Sequence, residues 1–348
     1  MPGVWACQAE VPPGLEEIAQ EELARLGEKQ VSGLHFEPRE PGVLIFSWQG
    51  RLAPLLNLKT AHAVYTLIRH PVPRPKALLG HEHFHRLLDQ IDSVLALWPR
   101  QTFQSLYLSA AGSDSAVMER IKSELSAHTG LAVASHEGDL LLRVRRPPAG
   151  GAGWETLVRI SPRPLATRDW RMCNYEGALN AAVAYAMGRL TGPQPQDVFV
   201  NLACGSGSLL LERFGLGPAR ALVGLDFDPN ALACARQNAE AGGAGSEITL
   251  LQADLRAAPL PEGGATALVA DLPFGHLVGS HTDNLELYPQ VLAEAARLAA
   301  PGARFVLISH EVRLMESLLA KSPFWATLQV HKIWLGGLNP RIFVLQRY

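Results

Sequence analysis

Residues 198–214 read VFVNLACGSGSLLLERF, in which an apolar run is followed by a turn with two glycines and a second apolar run. The first run, VFV, is β-branched and aromatic without polar alternation, which indicates a strand buried on both faces. Gly205 and Gly207 fit the turn, because glycine lets the backbone bend sharply and approach a ligand closely. The second run, SLLLERF, predicts a helix. A buried strand, a glycine turn and a helix together indicate a parallel α/β sheet.

The same alternation continues on both sides of this stretch. Helical patterns such as YEGALNAAVAYAMGRL and PNALACARQNAEAG alternate with the apolar runs ALVGLDF, EITLLQAD, TALVADL and ARFVLIS. The last 22 residues, TLQVHKIWLGGLNPRIFVLQRY, predict two strands joined by a loop, which suits an antiparallel edge. We therefore predict a doubly wound, Rossmann-like α/β domain over residues 175–348, with its ligands at the carboxyl ends of the strands.

The N-terminal half has a mixed α+β pattern without this regular alternation. We predict an N-terminal subdomain over residues 1–70, a second α+β domain over 71–160 and a linker over 161–174. The turn-rich stretch PVPRPK marks the first boundary. Within the first subdomain, the stretch NLKTAHAVYTLI at residues 57–68 predicts a helix.

The composition of the 348 residues, 47% hydrophobic and 18% charged, excludes a globally disordered chain. No apolar run approaches the roughly 20 residues that a membrane helix needs. The N-terminus, MPGVWACQAEVPPG, lacks the basic and apolar regions of a signal peptide. We expect a cytoplasmic monomer. We expect no metal site, since the cysteines show no C-x-x-C spacing. On the same grounds we expect reduced thiols at all four cysteines, which are Cys7, Cys173, Cys204 and Cys234.

Arginines are concentrated toward the end of residues 61–175, the basic middle part of the chain. Arginine matches phosphate as a bidentate fork better than lysine does, so this segment is a candidate nucleic-acid face. The charge pattern alone fits an arginine-rich composition equally well. The segment holds seven arginines: Arg143, Arg145, Arg146, Arg159, Arg163, Arg168 and Arg171.

Acidic residues follow the next two strands. Asp226 lies where an acidic side chain accepts hydrogen bonds from the ribose hydroxyls of an adenosine cofactor. Asp228, just before a proline, fits a helix N-cap. Asp254 could accept a hydrogen bond from the adenine amino group, while the backbone nitrogen of Leu255 donates to the adenine ring. Taken alone, Asp254 could equally be a loop residue or a helix cap. A third glycine, expected for pyrophosphate binding, is replaced by Leu210.

The stretch ADLPFG at residues 270–275 ends the following strand. The Asp271 carboxylate and the Leu272 carbonyl can accept both hydrogens of an exocyclic amino group, while Pro273 fixes the turn. Phe274 can stack on the base. Two acceptors favour a pyramidal nitrogen with a free lone pair, and the proton leaves after transfer, to Asp271 or to water. This combination predicts methylation of a planar amino nitrogen.

These motifs, NLACGSGSLLLE, GLDFDP, QADL and DLPFG, resemble in order those of class I S-adenosylmethionine methyltransferases that act on amino nitrogens. DLPFG followed by GSHTDNLELYP is similar to the branch that methylates the 2-amino group of guanosine in tRNA. The resemblance implies a ferredoxin-like N-terminal subdomain and a THUMP domain that binds the tRNA 3′ end. It is specific over residues 175–348 and weaker over 1–160. The linker departs from the family pattern at residues 165–169, so an RNA contact by Asp169 is not carried over.

The resemblance also assigns residues to roles. Asp271, Leu272, Pro273 and Phe274 would hold the guanine. RNA contacts would come from Arg143, Arg145, Arg146, Arg163, Arg168 and Arg171. The S-adenosylmethionine site would consist of Asn180, Ala203, Cys204, Gly205, Gly207, Asp226, Phe227, Asp254 and Leu255.

Several functions remain open from the sequence. The first is methylation of N2 of a tRNA guanosine, at position six of the acceptor stem or at position ten. The same chemistry could serve a protein-glutamine or DNA-adenine methyltransferase. A nicotinamide-dependent dehydrogenase is disfavoured by the absent third glycine, and a non-enzymatic RNA-binding protein by the presence of all four motifs.

Overall fold

The computed structural model describes four ranges of the chain: 3–27, 36–37, 40–273 and 281–348. The chain folds into two compact units. Unit 1 comprises Met1–Val11 and Glu16–Ala166. Unit 2 comprises Pro12–Leu15 and Thr167–Tyr348.

In its described residues, unit 1 is an eight-stranded sheet with three α-helices. The strand order is β2-β3-β1-β4-β8-β7-β5-β6. The helices are α1 (Glu16–Gly27), α2 (His81–Leu95) and α3 (Ala116–Thr129). The strands are β1 (Val4–Glu10), β2 (Phe36–Glu37), β3 (Val43–Gln49), β4 (Ala63–His70), β5 (Ser105–Ala110), β6 (Ala132–Val133), β7 (Leu140–Arg145) and β8 (Trp154–Arg159).

The helix predicted over residues 57–68 is wrong. The second half of this stretch is the first part of β4, which lies between β1 and β8 and pairs antiparallel with both. Val64, Tyr65 and Thr66 are all buried there. β-Branched and aromatic side chains suit a strand with neighbours on both sides, and this tertiary pairing outweighs the local helical spacing.

The sheet of unit 1 runs without a break across residue 70, because β4 pairs with β8. The division of this half into residues 1–70 and 71–160 therefore stays a prediction. The change from unit 1 to unit 2 after Ala166 falls inside the predicted linker, 161–174.

Unit 2 is a seven-stranded sheet flanked by helices. Its strand order is β11-β10-β9-β12-β13-β15-β14. The helices are α4 (Ala181–Leu190), α5 (Ser208–Phe214), α6 (Pro229–Ala241), α7 (His281–Leu298) and α8 (Val312–Leu319). The strands are β9 (Val198–Leu202), β10 (Ala221–Asp226), β11 (Ile248–Gln252), β12 (Ala265–Asp271), β13 (Ala299–Ser309), β14 (Trp325–Lys332) and β15 (Arg341–Arg347).

This topology confirms the predicted doubly wound α/β domain with an antiparallel edge. Strands β9 to β13 pair parallel with one another, whereas β15 pairs antiparallel with both β13 and β14. The strand order reverses at β9, which has β10 on one side and β12 on the other. In open α/β sheets such a reversal leaves a crevice at the carboxyl ends of the strands, where ligands bind.

Two of the four cysteines form a disulfide, so the prediction of four reduced thiols is wrong. Cys173 is bonded to Cys234 on α6, with the Cα atoms 5.4 Å apart. Their sequence separation of 61 gave no spacing signal, because the pair meets only through tertiary folding. Among the described residues, Cys7 and Cys204 are buried free thiols.

Residues Pro12–Leu15 contribute to unit 2 beside the end of β14. The Pro13 carbonyl accepts a hydrogen bond of 2.9 Å from the Trp334 backbone nitrogen. Gly14 has a φ of +96°, and a Cβ there would lie 1.8 Å from the Lys332 carbonyl oxygen. Glycine is therefore required both by its backbone angle and by the close approach.

Within the described ranges, no helix combines the length and apolar character needed to cross a bilayer.

We expect Gly14→Ala to lower the free energy of unfolding by about 3 kcal/mol, because a left-handed residue and a steric overlap both add cost. The matched control is Gly302→Ala. Gly302 has a φ of +78°, but no atom lies within 4 Å of the position that a Cβ would take there. That variant is expected to lose only about 1 kcal/mol. Equilibrium denaturation of both variants measures the difference, and equal losses would contradict the close contact.

We expect protein purified without reductant to show two titratable thiols in denaturant and four after reduction. Reduction should also lower the stability by about 3 kcal/mol, since the disulfide restricts the unfolded chain. Cys234→Ser should abolish this dependence on reductant. Four thiols before reduction would show that the bond does not form in solution.

Candidate functional site

The glycine turn after β9 is joined to the end of β10 by Asp226. Its carboxylate accepts hydrogen bonds from the backbone nitrogens of Gly205, at 2.8 Å, and Asp228, at 3.0 Å. The Cys204 nitrogen also donates to the Leu225 carbonyl at 2.7 Å. The structure thus brings together the glycine turn and the acidic residue that were singled out in the sequence. The ligand roles assigned to them stay predictions.

The backbone of this turn is held in the left-handed region. Ala203, Gly205 and Gly207 have φ values of 57°, 52° and 82°. Only glycine adopts this region without cost, so Ala203 carries local strain of a kind that clusters at functional sites. Burial raises the pKa of the Cys204 thiol, which keeps it protonated at neutral pH. A packing role for Cys204 therefore fits better than a nucleophilic one.

Leu210, in place of a third glycine, is accommodated by a glycine on the neighbouring strand. A Cβ at Gly224 would lie 2.5 Å from Leu210 Cδ1 and 3.0 Å from Leu250 Cδ2. The close contact between helix and sheet that the third glycine provides in dinucleotide sites is thus made from the strand side. The sequence departs from that fingerprint because the glycine at this contact, Gly224, lies on β10 and not on the helix.

Asp228 caps α6, as predicted. Its carboxylate accepts from the Asn230 nitrogen at 2.9 Å and from the Tyr175 hydroxyl. The hydrogen bond from Tyr175 is the largest cause of the lowered pKa of Asp228. Beside it, the Phe227 side chain is 66% exposed, so an apolar ring is open to solvent next to Asp226. An exposed phenylalanine at a strand end suits contact with a planar ligand.

Asp254 and Asn180 have local partners in the structure. The Asp254 carboxylate accepts from the Arg256 backbone nitrogen at 2.9 Å and pairs with its guanidinium, which lowers the pKa of Asp254. Asn180 caps α4 by accepting from the Ala182 nitrogen at 2.9 Å. Their assignments to the cofactor, and that of Leu255, remain predictions beside these structural roles.

The linker residues Arg168 and Arg171 face into unit 2. Arg168 is 5% exposed and donates to the Glu212 carboxylate of α5 at 2.7 Å. An RNA contact requires an exposed guanidinium, so the role predicted for Arg168 does not fit this burial. Arg171 donates to the Leu179 carbonyl at 2.9 Å and to Ser208 Oγ at 3.0 Å. Both arginines tie the linker to α5, the helix that follows the glycine turn.

The arginines of unit 1 differ in how far their charges are already paired. Arg143 pairs with Glu10. Arg145 lies 3.1 Å from the buried Glu155 carboxylate. By contrast, Arg146 is exposed and stacks over the Trp154 ring, with 4.9 Å to the centroid. Arg163 is also exposed. Exposed guanidinium groups are more accessible to phosphate than buried ones.

Asp271 ends β12, the neighbour of β9, and is half-buried. Burial raises the pKa of its carboxyl to about 7. Desolvation disfavours the charged form, which makes this carboxyl a proton acceptor suited to neutral pH. The Leu272 nitrogen donates to the Ile308 carbonyl at 3.1 Å. Phe274, the stacking residue expected from the sequence, lies outside the described residues.

The structure adds Tyr288 and Ser309, which the sequence did not single out. The Tyr288 hydroxyl, on α7, donates to the Pro273 carbonyl at 2.9 Å and lies 2.9 Å from Ser309 Oγ. The sequence holds no signal for this bond, because a buried tyrosine on an apolar helix face fits a core position equally well.

No group of three or more histidine, cysteine or acidic side chains suited to a metal ion occurs among the described residues. His81 and His85 have the spacing of metal ligands on a helix. Their rings contact each other in a tilted arrangement, with 4.1 Å between the centroids.

Comparisons with known proteins identify a matching family model and several relatives. Residues 168–340 match the model of a family described as UPF0020, RMKL-like, methyltransferase domain. The bovine protein named tRNA (guanine(6)-N(2))-methyltransferase THUMP3 is 30% identical over 184 residues, which cover 49% of this chain and 36% of the relative. The chain therefore spans about a third of the length of that relative.

Two further comparisons extend over nearly the whole chain. A Methanocaldococcus jannaschii protein named tRNA (guanine(6)-N2)-methyltransferase is 22% identical, over 96% of this chain and 97% of its own. The crystal structure of TrmN from Thermus thermophilus superposes with a TM-score of 0.75 at 25% identity, covering 99% of this chain and all of TrmN. The likeness thus includes the N-terminal half as well as the α/β domain.

Proposed function

Because residues 168–340 match the model of the RMKL-like methyltransferase domain, we propose that the chain methylates the exocyclic 2-amino group of a guanosine in tRNA, with S-adenosylmethionine as the methyl donor. The observation that carries the proposal is the placement of two motifs on adjacent strands. The glycine turn with Asp226 follows β9 and β10, and Asp271 with its proline turn follows β12. A cofactor site and an amino-group site thereby meet at one edge of the sheet.

The residues around the glycine turn fit an adenosine-containing cofactor. The left-handed turn exposes backbone to a ligand, and the Asp226 carboxylate is placed beside it to accept from ribose hydroxyls. The exposed Phe227 ring offers a face to the adenine. Asp254 and Leu255 follow the adjacent β11 and are assigned to the adenine edge, with Ala203, Cys204 and Asn180 nearer the methionine end. When bound, the cofactor supplies an electrophilic methyl group.

The Asp271 turn fits the acceptor nitrogen. The carboxylate and the Leu272 carbonyl accept the two amino hydrogens, which holds the nitrogen with its lone pair directed at the methyl group. With S-adenosylmethionine bound, attack on the methyl carbon would form the new nitrogen–carbon bond as the methyl–sulfur bond breaks. S-adenosylhomocysteine would leave, and the nitrogen would be cationic. A carboxyl with a pKa raised to about 7 can then accept the released proton, directly or through water.

The substrate assignment rests on the relatives and on unit 1. The names of the bovine and archaeal relatives specify guanine 6 of tRNA, which supports position six as the target, with position ten second. We assign residues 71–160 to a THUMP domain that binds the tRNA 3′ end. Its exposed Arg146 is the RNA contact that the structure supports best, with Arg163 beyond it. The paired Arg143 and Arg145 and the half-buried Arg171 would contribute less.

The direct test is methyl transfer from radiolabelled S-adenosylmethionine to unmodified tRNA, DNA and protein in parallel, followed by nucleoside analysis. We expect N2-methylguanosine in tRNA alone. A transcript with guanosine 6 replaced should lose the label, whereas replacement of guanosine 10 should not. Label in methylglutamine or N6-methyladenine would overturn the guanine assignment and keep the fold.

We expect kcat/KM of the wild type to rise with pH and level off above about 7, because the carboxylate of Asp271 is the active form. A raised pKa keeps this carboxyl protonated at lower pH, where it cannot accept from the amine. Asp271→Asn should lower kcat by about 100-fold and remove this acid limb, with cofactor affinity retained. The measurement is a steady-state profile between about pH 5.5 and 8.5, which brackets the raised pKa.

Asp254→Asn is the matched control for the pH profile. The pKa of Asp254 is lowered by its hydrogen bonds from Arg256, so its removal should leave the acid limb in place. Persistence of the limb in Asp271→Asn, or loss of cofactor binding in that variant, would refute the role of Asp271.

A further inference from the structure

Tyr288 and Ser309 form a hydrogen-bonded pair under the Asp271 turn. Both residues are fully buried. The Pro273 carbonyl can only accept, so the single Tyr288 proton is donated there, at 2.9 Å. Tyr288 then accepts from the Ser309 hydroxyl at 2.9 Å, while Ser309 Oγ accepts from the Glu311 nitrogen at 3.0 Å. Each hydroxyl therefore has a defined direction.

These bonds fix the backbone on both sides of the Leu272 carbonyl. On one side, the Leu272 nitrogen is bonded to the Ile308 carbonyl on β13. On the other side, the proline ring restricts the φ of Pro273, and the bond from Tyr288 fixes the direction of its carbonyl. The Leu272 carbonyl thus lies between the Leu272 nitrogen and the Pro273 carbonyl, both of which are hydrogen-bonded. Within the part of the chain that the structure describes, the Leu272 carbonyl itself accepts no hydrogen bond.

We propose that Tyr288 and Ser309 are positioning residues for the amino-group acceptors, a role that rests on the proposed function. By holding the Pro273 carbonyl away from the substrate, the pair leaves the Leu272 carbonyl as the partner of the Asp271 carboxylate. Neither hydroxyl touches the substrate. Their effect is on the direction of two acceptors that must meet one nitrogen, where a displacement of about 1 Å can cost about 100-fold in rate.

The first variant is Tyr288→Phe, which keeps the ring in the core and removes only the bond to Pro273. We expect kcat to fall at least about tenfold, while KM for tRNA and the dissociation constant of S-adenosylmethionine change less than about twofold. Ser309→Ala should have a smaller effect, because Tyr288 can still donate to Pro273. The double variant should be no slower than Tyr288→Phe, since Ser309 acts through Tyr288.

The matched control is Thr266→Val at the opposite end of β12. The Thr266 hydroxyl bridges the Val198 nitrogen and the Asp197 carboxylate, each at 3.0 Å, so its removal also deletes a bridging hydroxyl from unit 2. This variant should keep wild-type kcat even where it lowers the melting temperature. A purely structural role for Tyr288 would give the same result in Tyr288→Phe, and that outcome would overturn the proposal.

A measurement without turnover separates this inference from the proposed function. Hydrogen exchange of the peptide that contains Leu272 should be faster in Tyr288→Phe than in the wild type and unchanged in Thr266→Val. If the wild type methylates no guanosine, the proposed function fails, and unchanged exchange at Leu272 independently refutes the positioning pair. A fall in affinity with unchanged kcat would refute it as well.

Discussion

The Asp226 carboxylate is the interaction on which the arrangement of unit 2 depends. It is nearly buried, and a buried carboxylate is stable only when hydrogen-bond donors replace water. Two backbone nitrogens do so, one from the glycine turn and one from the start of α6. Because these donors come from different βα turns, one side chain sets the distance between them. The cap at Asp228 and its bond from Tyr175 then connect this arrangement to the residue that follows the linker.

Residues 167–174 of the linker are thereby part of unit 2. Arg168 pairs with Glu212, Cys173 is bonded to Cys234, and the amide of Asn238 contacts both the Cys173 backbone and the Ser206 carbonyl. These contacts hold the linker against α5, α6 and the glycine turn. The segment therefore contributes to the rigidity of the proposed cofactor site, although its sequence has neither helical nor strand periodicity.

The features that follow from the sequence are those encoded locally. The alternation of apolar strands and helices predicted the sheet of unit 2, and the residues after β9 and β10 indicated a glycine turn and an acidic residue that the structure brings together. Features that depend on residues distant in sequence could not be predicted, such as the disulfide and the bond from Tyr288 to Pro273. The strand β4 belongs to the same class, because its two neighbours decide its structure. Similarly, a count of arginines did not reveal that Arg143 and Arg145 are paired with glutamates.

The place of residues 12–15 in unit 2 has a consequence for how the chain is made. These residues leave the ribosome well before their partners near Lys332 and Trp334. The rest of unit 1 is synthesised in between, and domains generally fold as they emerge. Residues 12–15 therefore cannot contact Lys332 and Trp334 until those residues have been synthesised. Closure of unit 2 around Gly14 is a late step, and a nascent chain stalled before β14 would carry a finished unit 1 beside an incomplete α/β domain.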